Sequence, residues 1–280
     1  MSTLTSRAEP SRTTPSARPD HRVTGRRVLS SEWAKFWSLR STWITLGLGL
    51  LFLVVFGLIA ASRYKFMNGT PRMDRNFARA TAVSLSLFGA NFAQLALGVL
   101  GVLVMAGEYS TGMIRSTLAA VPRRLPVLWS KAAVFGLVAL VVGTLGAFTA
   151  FLAGSGIVAG TPAAMGLTDP GVVRSLLGAG LYLGLVGVIG TALGALLRSV
   201  AAGISLLVAT LMLIPGLASL LPSSWQDDIS PYLPSNAGQA MYALTHDSTT
   251  LSPPAGLLVF LGWTALALAG AAYRLMRSDA

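Results

Sequence analysis

Residues 132–157 read AAVFGLVALVVGTLGAFTAFLAGSGI, and none of these 26 positions carries a charge. A helix rises about 1.5 Å per residue, so about 20 apolar residues cross a hydrocarbon core about 30 Å thick. A helix also satisfies its own backbone hydrogen bonds, which lipid cannot do. This stretch is therefore long enough to cross a bilayer, and it predicts a membrane protein built from helices.

The composition of the whole chain favours the same class. Of its 280 residues 53% are hydrophobic and only 11% are charged, with a mean hydropathy of +0.66. A soluble domain carries about 25% charged residues. Five more uncharged apolar windows accompany the first, and they cover 43–62, 83–106, 175–197, 200–220 and 255–273. The expected fold is an all-α membrane protein with six transmembrane helices.

The N-terminal segment differs in character from everything that follows. Residues 1–22 are rich in Ser, Thr, Pro and Arg and show no hydrophobic periodicity. They predict a disordered basic tail and contain no apolar stretch of the kind a secretory signal peptide needs. We place the boundary so that the tail covers 1–28 and the six-helix domain covers 29–277.

The distribution of positive charge predicts the orientation. The net charge is +11, which in a soluble protein would suggest a nucleic-acid partner. Here 15 basic residues fall on the side of the two termini and six on the other. Basic residues mark the cytoplasmic side of membrane proteins. Both termini are therefore expected in the cytoplasm, with membrane lipid and no nucleic acid as a partner.

The segment before the first span, residues 31–42, reads SEWAKFWSLRST and has two unlike faces at helical spacing. Glu32 and Lys35 fall on the polar face. The other face carries the aromatic residues and a cation, which are Trp33, Phe36, Trp37 and Arg40. Such a pattern is typical of a helix that lies in the membrane interface. The alternative is that these residues form the first turns of the first span.

A polar stretch, GEYSTGMIRSTLAAVPRR, occupies residues 107–124 between two apolar windows. Its residue types permit a helix over 107–120, with Glu108 and Arg115 on a common polar face. Pro122 should end that helix near Ala120, because the residue before a proline avoids helical dihedrals. Arg123 and Arg124 follow at the headgroup level. The stretch is either a docking surface for a cytoplasmic partner or an ordinary loop with positive-inside arginines.

The polar residues and the small residues inside the spans each have two possible roles. Asn91 and Gln94 lie three apart on one face, so they either hydrogen-bond between helices or line a path. A row of glycines in the fourth span predicts close packing, with a sliding surface as the alternative; it comprises Gly180, Gly184, Gly187, Gly190 and Gly194. No ionisable residue lies in mid-span, which argues against an ion-coupled carrier.

The sequence carries no catalytic motif. None of its three lysines follows a glycine, so the chain has no P-loop, and the HExxH and GxSxG patterns are absent as well. It contains no cysteine for a thiolate metal site. We expect no catalytic residue, no metal site and no cofactor in this chain.

Three segments together resemble the permease subunits of ATP-binding-cassette (ABC) type-2 exporters, in the version found in actinobacteria. They are SEWAKFWSLRSTW, GEYSTGMIRSTLAAVPRRLPVLWSK and YLPSNAGQAM, and their order fits over roughly residues 29–277. The most specific motif is kept at Glu108, Tyr109, Gly112, Arg115, Thr117, Leu118 and Ala119. Met113 stands where the pattern has a threonine, and a methionine can still pack under a helix.

The resemblance implies a function and a set of sites. Residues 31–42 would be a connecting helix, 107–120 a coupling helix seated on a separate ATPase subunit that binds ATP and Mg, and 222–250 would include re-entrant helices. Two permease subunits, identical or different, would form the export path in a bacterial plasma membrane. The coupling residues would be Glu108, Tyr109, Gly112, Arg115, Arg123 and Arg124.

Two other functions fit the same sequence. One is a membrane scaffold or sensor partner that transports nothing and docks a regulator through the polar stretch. The other is an ion-coupled secondary carrier, against which the uncharged spans argue. The sequence does not name a substrate.

Overall fold

The computed structural model describes residues 25–38, 40–70, 75–120, 124–245 and 249–277. The regular secondary structure of this part of the chain is all helical, and it contains no strand. Its α-helices are α1 (Gly25–Ser38), α2 (Arg40–Met67), α3 (Arg75–Ala78), α4 (Ala82–Ser86), α5 (Ala90–Ser110), α6 (Met113–Ala120), α7 (Arg124–Ile157), α8 (Val172–Leu197), α9 (Val200–Val208), α10 (Ile214–Ala218), α11 (Ser223–Ile229), α12 (Pro234–Ala240) and α13 (Pro253–Arg277). Short 3-10 helices cover Leu87–Gly89 and Ser230–Tyr232, and a π-helix covers Ala209–Leu213.

Six helical segments are long and apolar enough to cross a membrane, which confirms the predicted number. They are Arg40–Met67, Ala82–Ser110, Arg124–Ile157, Val172–Leu197, Val200–Ala218 and Pro253–Arg277. Five of the predicted windows lie inside these segments, and the window 200–220 runs two residues beyond its segment. Helix α1 begins at Gly25, so residues 25–28 are helical although they fall within the predicted tail. Residues 1–24 lie outside the described residues.

Helix α8 is the centre of the bundle and packs between α5 and α7. In its most apolar window 72% of the residues are buried, the highest share of the six segments. The glycine row makes this possible, because small residues let helix backbones approach closely. Gly184 lies against Leu140 of α7, whereas Gly190 lies against the carbonyl oxygen of Gly98 in α5. The row therefore packs closely, as predicted, and changes partner along its length.

The fifth span is interrupted before its Pro215–Gly216 pair, a pair that predicts a kink or the end of the regular helix. Regular α-helix ends at Val208, and a π-helix follows over Ala209–Leu213, in which the Ile214 N–H donates to the Ala209 carbonyl. A proline removes one backbone donor and crowds the preceding turn, which accounts for the wider turn before Pro215. Only 17% of this span's window is buried within the chain.

The segment before the last span differs from its prediction. The residue types of 236–245 allow either a short helix with Ser235 as its N-cap or a solvated loop. Instead α12 covers Pro234–Ala240, its N-cap is Leu233, and no side chain caps it. Proline is favoured in the first helical turn because it has no N–H to leave unpaired. Helices α11 and α12 do occupy the region where the resemblance implies short helices.

The two ends of the bundle have different structures. Ile114 of α6 and Leu275 of α13 share a buried cluster, and Lys35 of α1 reaches Thr117 of α6. We call this end, with α1, α6 and the last turn of α13, the α1 end. At the opposite end a loop contacts a helix end: Arg174, in the first turn of α8, donates to the Ala243 carbonyl of the loop after α12 at 2.6 Å.

The α5–α8 crossing generates a stability prediction. A Cβ added at Gly190 would overlap the Gly98 carbonyl, which is backbone and cannot move aside, whereas a Cβ at Gly262 of α13 meets nothing within 4 Å. Gly190→Ala should lower the free energy of unfolding in detergent by about 1–3 kcal/mol through overpacking. Gly262→Ala is the matched control and should leave it unchanged or slightly higher. Equal stability of the two variants would contradict the described crossing.

Candidate functional site

The polar stretch 107–120 is two helices and not one, which corrects the predicted single helix. Helix α5 continues to Ser110, and α6 begins at Met113. Gly112 has a φ of +74°, a left-handed conformation that glycine adopts without strain. The Thr111 N–H donates to the Gly107 carbonyl at 3.1 Å and completes the last turn of α5. Helix α6 covers Met113–Ala120, and residues 121–123, which include Pro122, lie outside the described residues.

The turn between α5 and α6 is the most exposed part of this stretch. Ser110, Thr111 and Gly112 are exposed, and Met113 is 45% exposed. Ile114, one residue further, is buried in the cluster that it shares with Leu275. Helix α6 is thus held against the bundle on one side, while the turn before it is free of contacts that would bury it.

Four charged side chains meet directly beneath this turn. Lys131 of α7 is the centre: its Nζ lies 2.6 Å from Glu32 Oε2 and 2.7 Å from Glu108 Oε1. Lys35 Nζ lies 2.9 Å from Glu32 Oε1 and 3.3 Å from Glu108 Oε1. It also donates to Thr117 Oγ1 at 3.4 Å. We call Glu32, Lys35, Glu108 and Lys131 the ion cluster.

The ion cluster is buried and electrically neutral. Glu32, Glu108 and Lys131 are each exposed by 5% or less, and Lys35 is 35% exposed. A buried charge is costly unless it is paired and hydrogen-bonded, and removing one partner of a buried pair costs about 3–5 kcal/mol. Because the four groups come from α1, α5 and α7, their pairing fixes these helices to one another at the α1 end.

The cluster overturns the predicted position of Glu108. This carboxylate was expected on a polar face shared with Arg115, but it is buried on α5, while Arg115 lies on α6. A buried, doubly paired carboxylate is not part of a docking surface. The Arg115 side chain and all of Arg123 lie outside the described residues.

The two faces of α1 in the structure also differ from those that the sequence pattern predicts. Glu32 and Phe36 are buried, whereas Trp33 and Trp37 are 41% and 53% exposed. Phe36 packs against Phe135 of α7, with ring centroids 6.0 Å apart, and so does not belong to the exposed aromatic face. Arg40 is exposed but begins α2. Polar Glu32 thus faces protein, and the two tryptophans face outward.

Tyr109 and Arg124, two further predicted site residues, make contacts that stabilise the α1 end. Arg198, in the two-residue link between α8 and α9, places its guanidinium 5.3 Å from the centroid of the Tyr109 ring, a cation–π contact. Arg124 donates to the Leu275 carbonyl at 3.2 Å, which joins the start of α7 to the end of α13. Tyr109 and Arg124 therefore have structural contacts of their own near the turn.

Asn91 and Gln94 have different partners in the structure. Gln94 is 3% exposed, and its Oε1 accepts a short hydrogen bond from the Tyr182 hydroxyl of α8. This is the interhelical bond that was one of the two predicted alternatives. Asn91 instead accepts from Gln239 Nε2 of α12 at 3.2 Å and lines a cavity of about 590 Å³ at the opposite end. Asn91 thus also bonds to another helix, from α5 to α12, and in addition lines this cavity.

Among the described residues no group of three or more histidine, aspartate or glutamate side chains could hold a metal ion. The ion cluster consists of two carboxylates and two ammonium groups, with each ammonium nitrogen within 3.3 Å of both carboxylates, so its chemistry is that of charge pairing. Glu32, Lys35 and Lys131 are the members that sequence reasoning missed. No protein-family model matches the chain, and no curated protein matches it significantly.

Lys35, the partly exposed member of the cluster, gives a pH prediction. Burial lowers its pKa, but the hydrogen bond and the charges of Glu32 and Glu108 together outweigh this, so the pKa lies above the ordinary 10.5. A raised lysine pKa stabilises the fold fully below the unfolded value, and this stabilisation is lost as the pH rises through the folded pKa.

The thermal stability of the parent should therefore exceed that of Lys35→Met by a constant margin from pH 7 to about 10, and the margin should shrink above that. Lys65→Met, which removes an exposed lysine of α2, is the control and should show no such margin. A margin that grows above pH 10 would contradict the ion pairing of Lys35.

Proposed function

We propose that this chain is the membrane-spanning permease subunit of an ATP-driven ABC exporter, and that a separate ATPase subunit docks on the turn between α5 and α6. The observation that carries the proposal is the position of that turn: it is exposed and lies directly over the ion cluster. The motif resemblance in 107–124 supplies the class of partner. ATP and Mg would be bound by the partner.

The docking surface that we propose is smaller than the sequence suggested. Its members are the exposed residues Ser110, Thr111, Met113 and Ser116. Glu108 is excluded as a direct contact because it is 4% exposed. Its proposed role is to transmit force: a push on the turn reaches Glu108 and Thr117, and both contact lysines of the ion cluster.

The paired charges offer a rigid path from the turn to the spans. Glu108 lies near the end of the second span and Lys131 within the third, so displacement of one carboxylate acts on two long helices at once. Glu32 adds α1 to the moving unit. In the proposed mechanism, closure of the ATPase tilts α5 and α7 together and changes access to a path between two permease subunits.

The proposed orientation puts the α1 end in the cytoplasm of a bacterial cell. The excess of basic residues on that side supports it. The cavity beside Asn91 would then face the outside. A non-transporting scaffold that docks a regulator on the same turn would use the same surface, and the nature of the captured partner distinguishes the two.

Met113→Asp tests the docking surface. It places a charge on the exposed turn and leaves all four residues of the ion cluster unchanged, and Met276→Asp is the matched control, because Met276 is an exposed methionine at the same end of the bundle. Tagged variants would be purified from the native host in mild detergent, and ATP hydrolysis by the eluate measured. We expect the Met113 variant to lose at least about 90% of the co-purified ATPase, and the control to retain it.

Two results would contradict the proposal. If the parent captures no P-loop protein that hydrolyses ATP, including after crosslinking in intact membranes, the exporter assignment fails and the scaffold becomes the better reading. If both variants retain the ATPase equally, the partner docks elsewhere.

A further inference from the structure

The end of the bundle opposite the α1 end carries more positive charge than its predicted orientation explains. Of the six basic residues that the sequence assigns to that side, five lie within residues 63–79. Basic residues of a membrane protein are normally concentrated on the cytoplasmic side, which is here the α1 end. Five of them in one short segment on the other side favour an anionic ligand at that end.

Two of these five residues line neighbouring cavities. Arg79, just before the second span, lines the cavity of about 590 Å³, and Arg63, near the end of the first span, lines one of about 490 Å³. Both volumes fall within the range of about 300–1,000 Å³ that is typical of ligand pockets. The two cavities share Ala80, Ser84 and Phe88 as lining residues, so a single molecule can occupy both.

Both guanidinium groups are available to a ligand. Arg63 and Arg79 are exposed, and neither pairs with a carboxylate among the residues that the structure describes. A guanidinium binds phosphate oxygens through two parallel N–H donors. Because Arg79 lines the larger cavity, an anionic group in that cavity would have a cation beside it.

The larger cavity also has amide oxygens that are free to accept hydrogen bonds. Gln239 donates to Asn91 through Nε2, which leaves its Oε1 as an acceptor. Asn236 donates to Ser230 through Nδ2, which leaves its Oδ1. Both residues are half-buried and line the cavity. Amide oxygens accept hydrogen bonds from hydroxyl groups, so this wall fits a hydroxylated group next to the anion.

The smaller cavity opens toward the surface that faces lipid. Its lining is mainly apolar and includes Ile59 of the first span and Phe88 of the second, each 48% exposed. A hydrocarbon chain that lies against these side chains can continue directly into the bilayer. The two cavities together therefore fit a molecule with an anionic, hydroxylated headgroup and an apolar tail.

We propose that these two cavities bind an anionic phospholipid whose headgroup carries hydroxyl groups, as in phosphatidylglycerol. Arg79 binds the phosphate, while Gln239 and Asn236 accept hydrogen bonds from the headgroup hydroxyls. An acyl chain extends past Phe88 into the smaller cavity, where Arg63 adds positive charge. This inference goes beyond the proposed function and does not depend on it, because a scaffold or a carrier would bind the lipid in the same way.

The test compares three lipids with the same acyl chains on the full chain. Phosphatidylglycerol carries the negative charge and the hydroxyls, phosphatidylethanol carries the charge alone, and phosphatidylcholine has no net charge. Delipidated protein in detergent would be titrated with each lipid, and binding measured by native mass spectrometry together with the melting temperature. We expect phosphatidylglycerol to bind at least about tenfold more tightly than phosphatidylcholine and about threefold more tightly than phosphatidylethanol, and to raise the melting temperature most, because ligands that bind the folded state stabilise it.

Three variants locate the site, and the melting temperature without lipid checks that each is folded. Arg79→Gln should lose most of the preference over phosphatidylcholine. Lys65→Gln is the matched control: it removes an equal charge from an exposed residue at the same end that lines neither cavity, and it should retain the preference. Gln239→Met should lose only the preference over phosphatidylethanol.

Three results would overturn the proposal. The first is equal binding of phosphatidylglycerol and either of the other lipids by the parent. The second is a preference over phosphatidylcholine that survives Arg79→Gln, or that falls equally in Lys65→Gln, since the latter would show a general attraction of a basic protein for anions. The third is competition by free glycerol 3-phosphate at the same concentration, because the site would then recognise a soluble anion.

Discussion

Lys131 is buried and holds two carboxylates from two other helices, and the α1 end of this protein depends on that contact. A lone ammonium buried in α7 would be too costly to keep, so Glu32 and Glu108 must both be present. Meeting this requirement fixes where α1 lies and how α5 and α7 are rotated. The cluster also positions the exposed turn after α5, because Glu108 lies two residues before the end of α5.

The rest of the bundle is held by a different interaction. In lipid, apolar side chains gain little by leaving the solvent, so close contact between helix backbones has to supply the stability. The glycines of α8 provide that contact, first with α7 and then with α5. The molecule therefore combines a central region of tight backbone packing with an end fixed by charges, and the proposed docking surface lies at the end fixed by charges.

The sequence predicts the helices well and the charged contacts poorly, for a physical reason. Hydropathy and proline act locally, so the six spans and the interruption before Pro215 can be predicted from the residues alone. Glu32 was assigned to a water-facing side because a single helix shows only its own faces. Its partner Lys131 is 99 positions away, and the relative rotation of two helices cannot be read from either.

Some signals were present in the sequence and could have been used. Glu108 and Lys131 each lie within two positions of an uncharged apolar window, where a buried charge needs a partner. Gly112 follows a polar turn at the end of an apolar window, which is a common sign of a helix end. What no local signal indicates is that Gln94 meets Tyr182 while its neighbour Asn91 meets Gln239, since both depend on how the helices pack.

A double-mutant cycle on Glu108→Gln and Lys131→Met tests the central claim most directly. Each single change leaves an uncompensated charge in the cluster and should cost about 3–5 kcal/mol of unfolding free energy in detergent. The double change restores neutrality around Glu32 and Lys35, so it should cost less than the two single costs combined, by more than about 1 kcal/mol. If the two costs instead add to within about 0.5 kcal/mol, the two side chains do not interact as described. The ion cluster would then not be what holds α5 to α7.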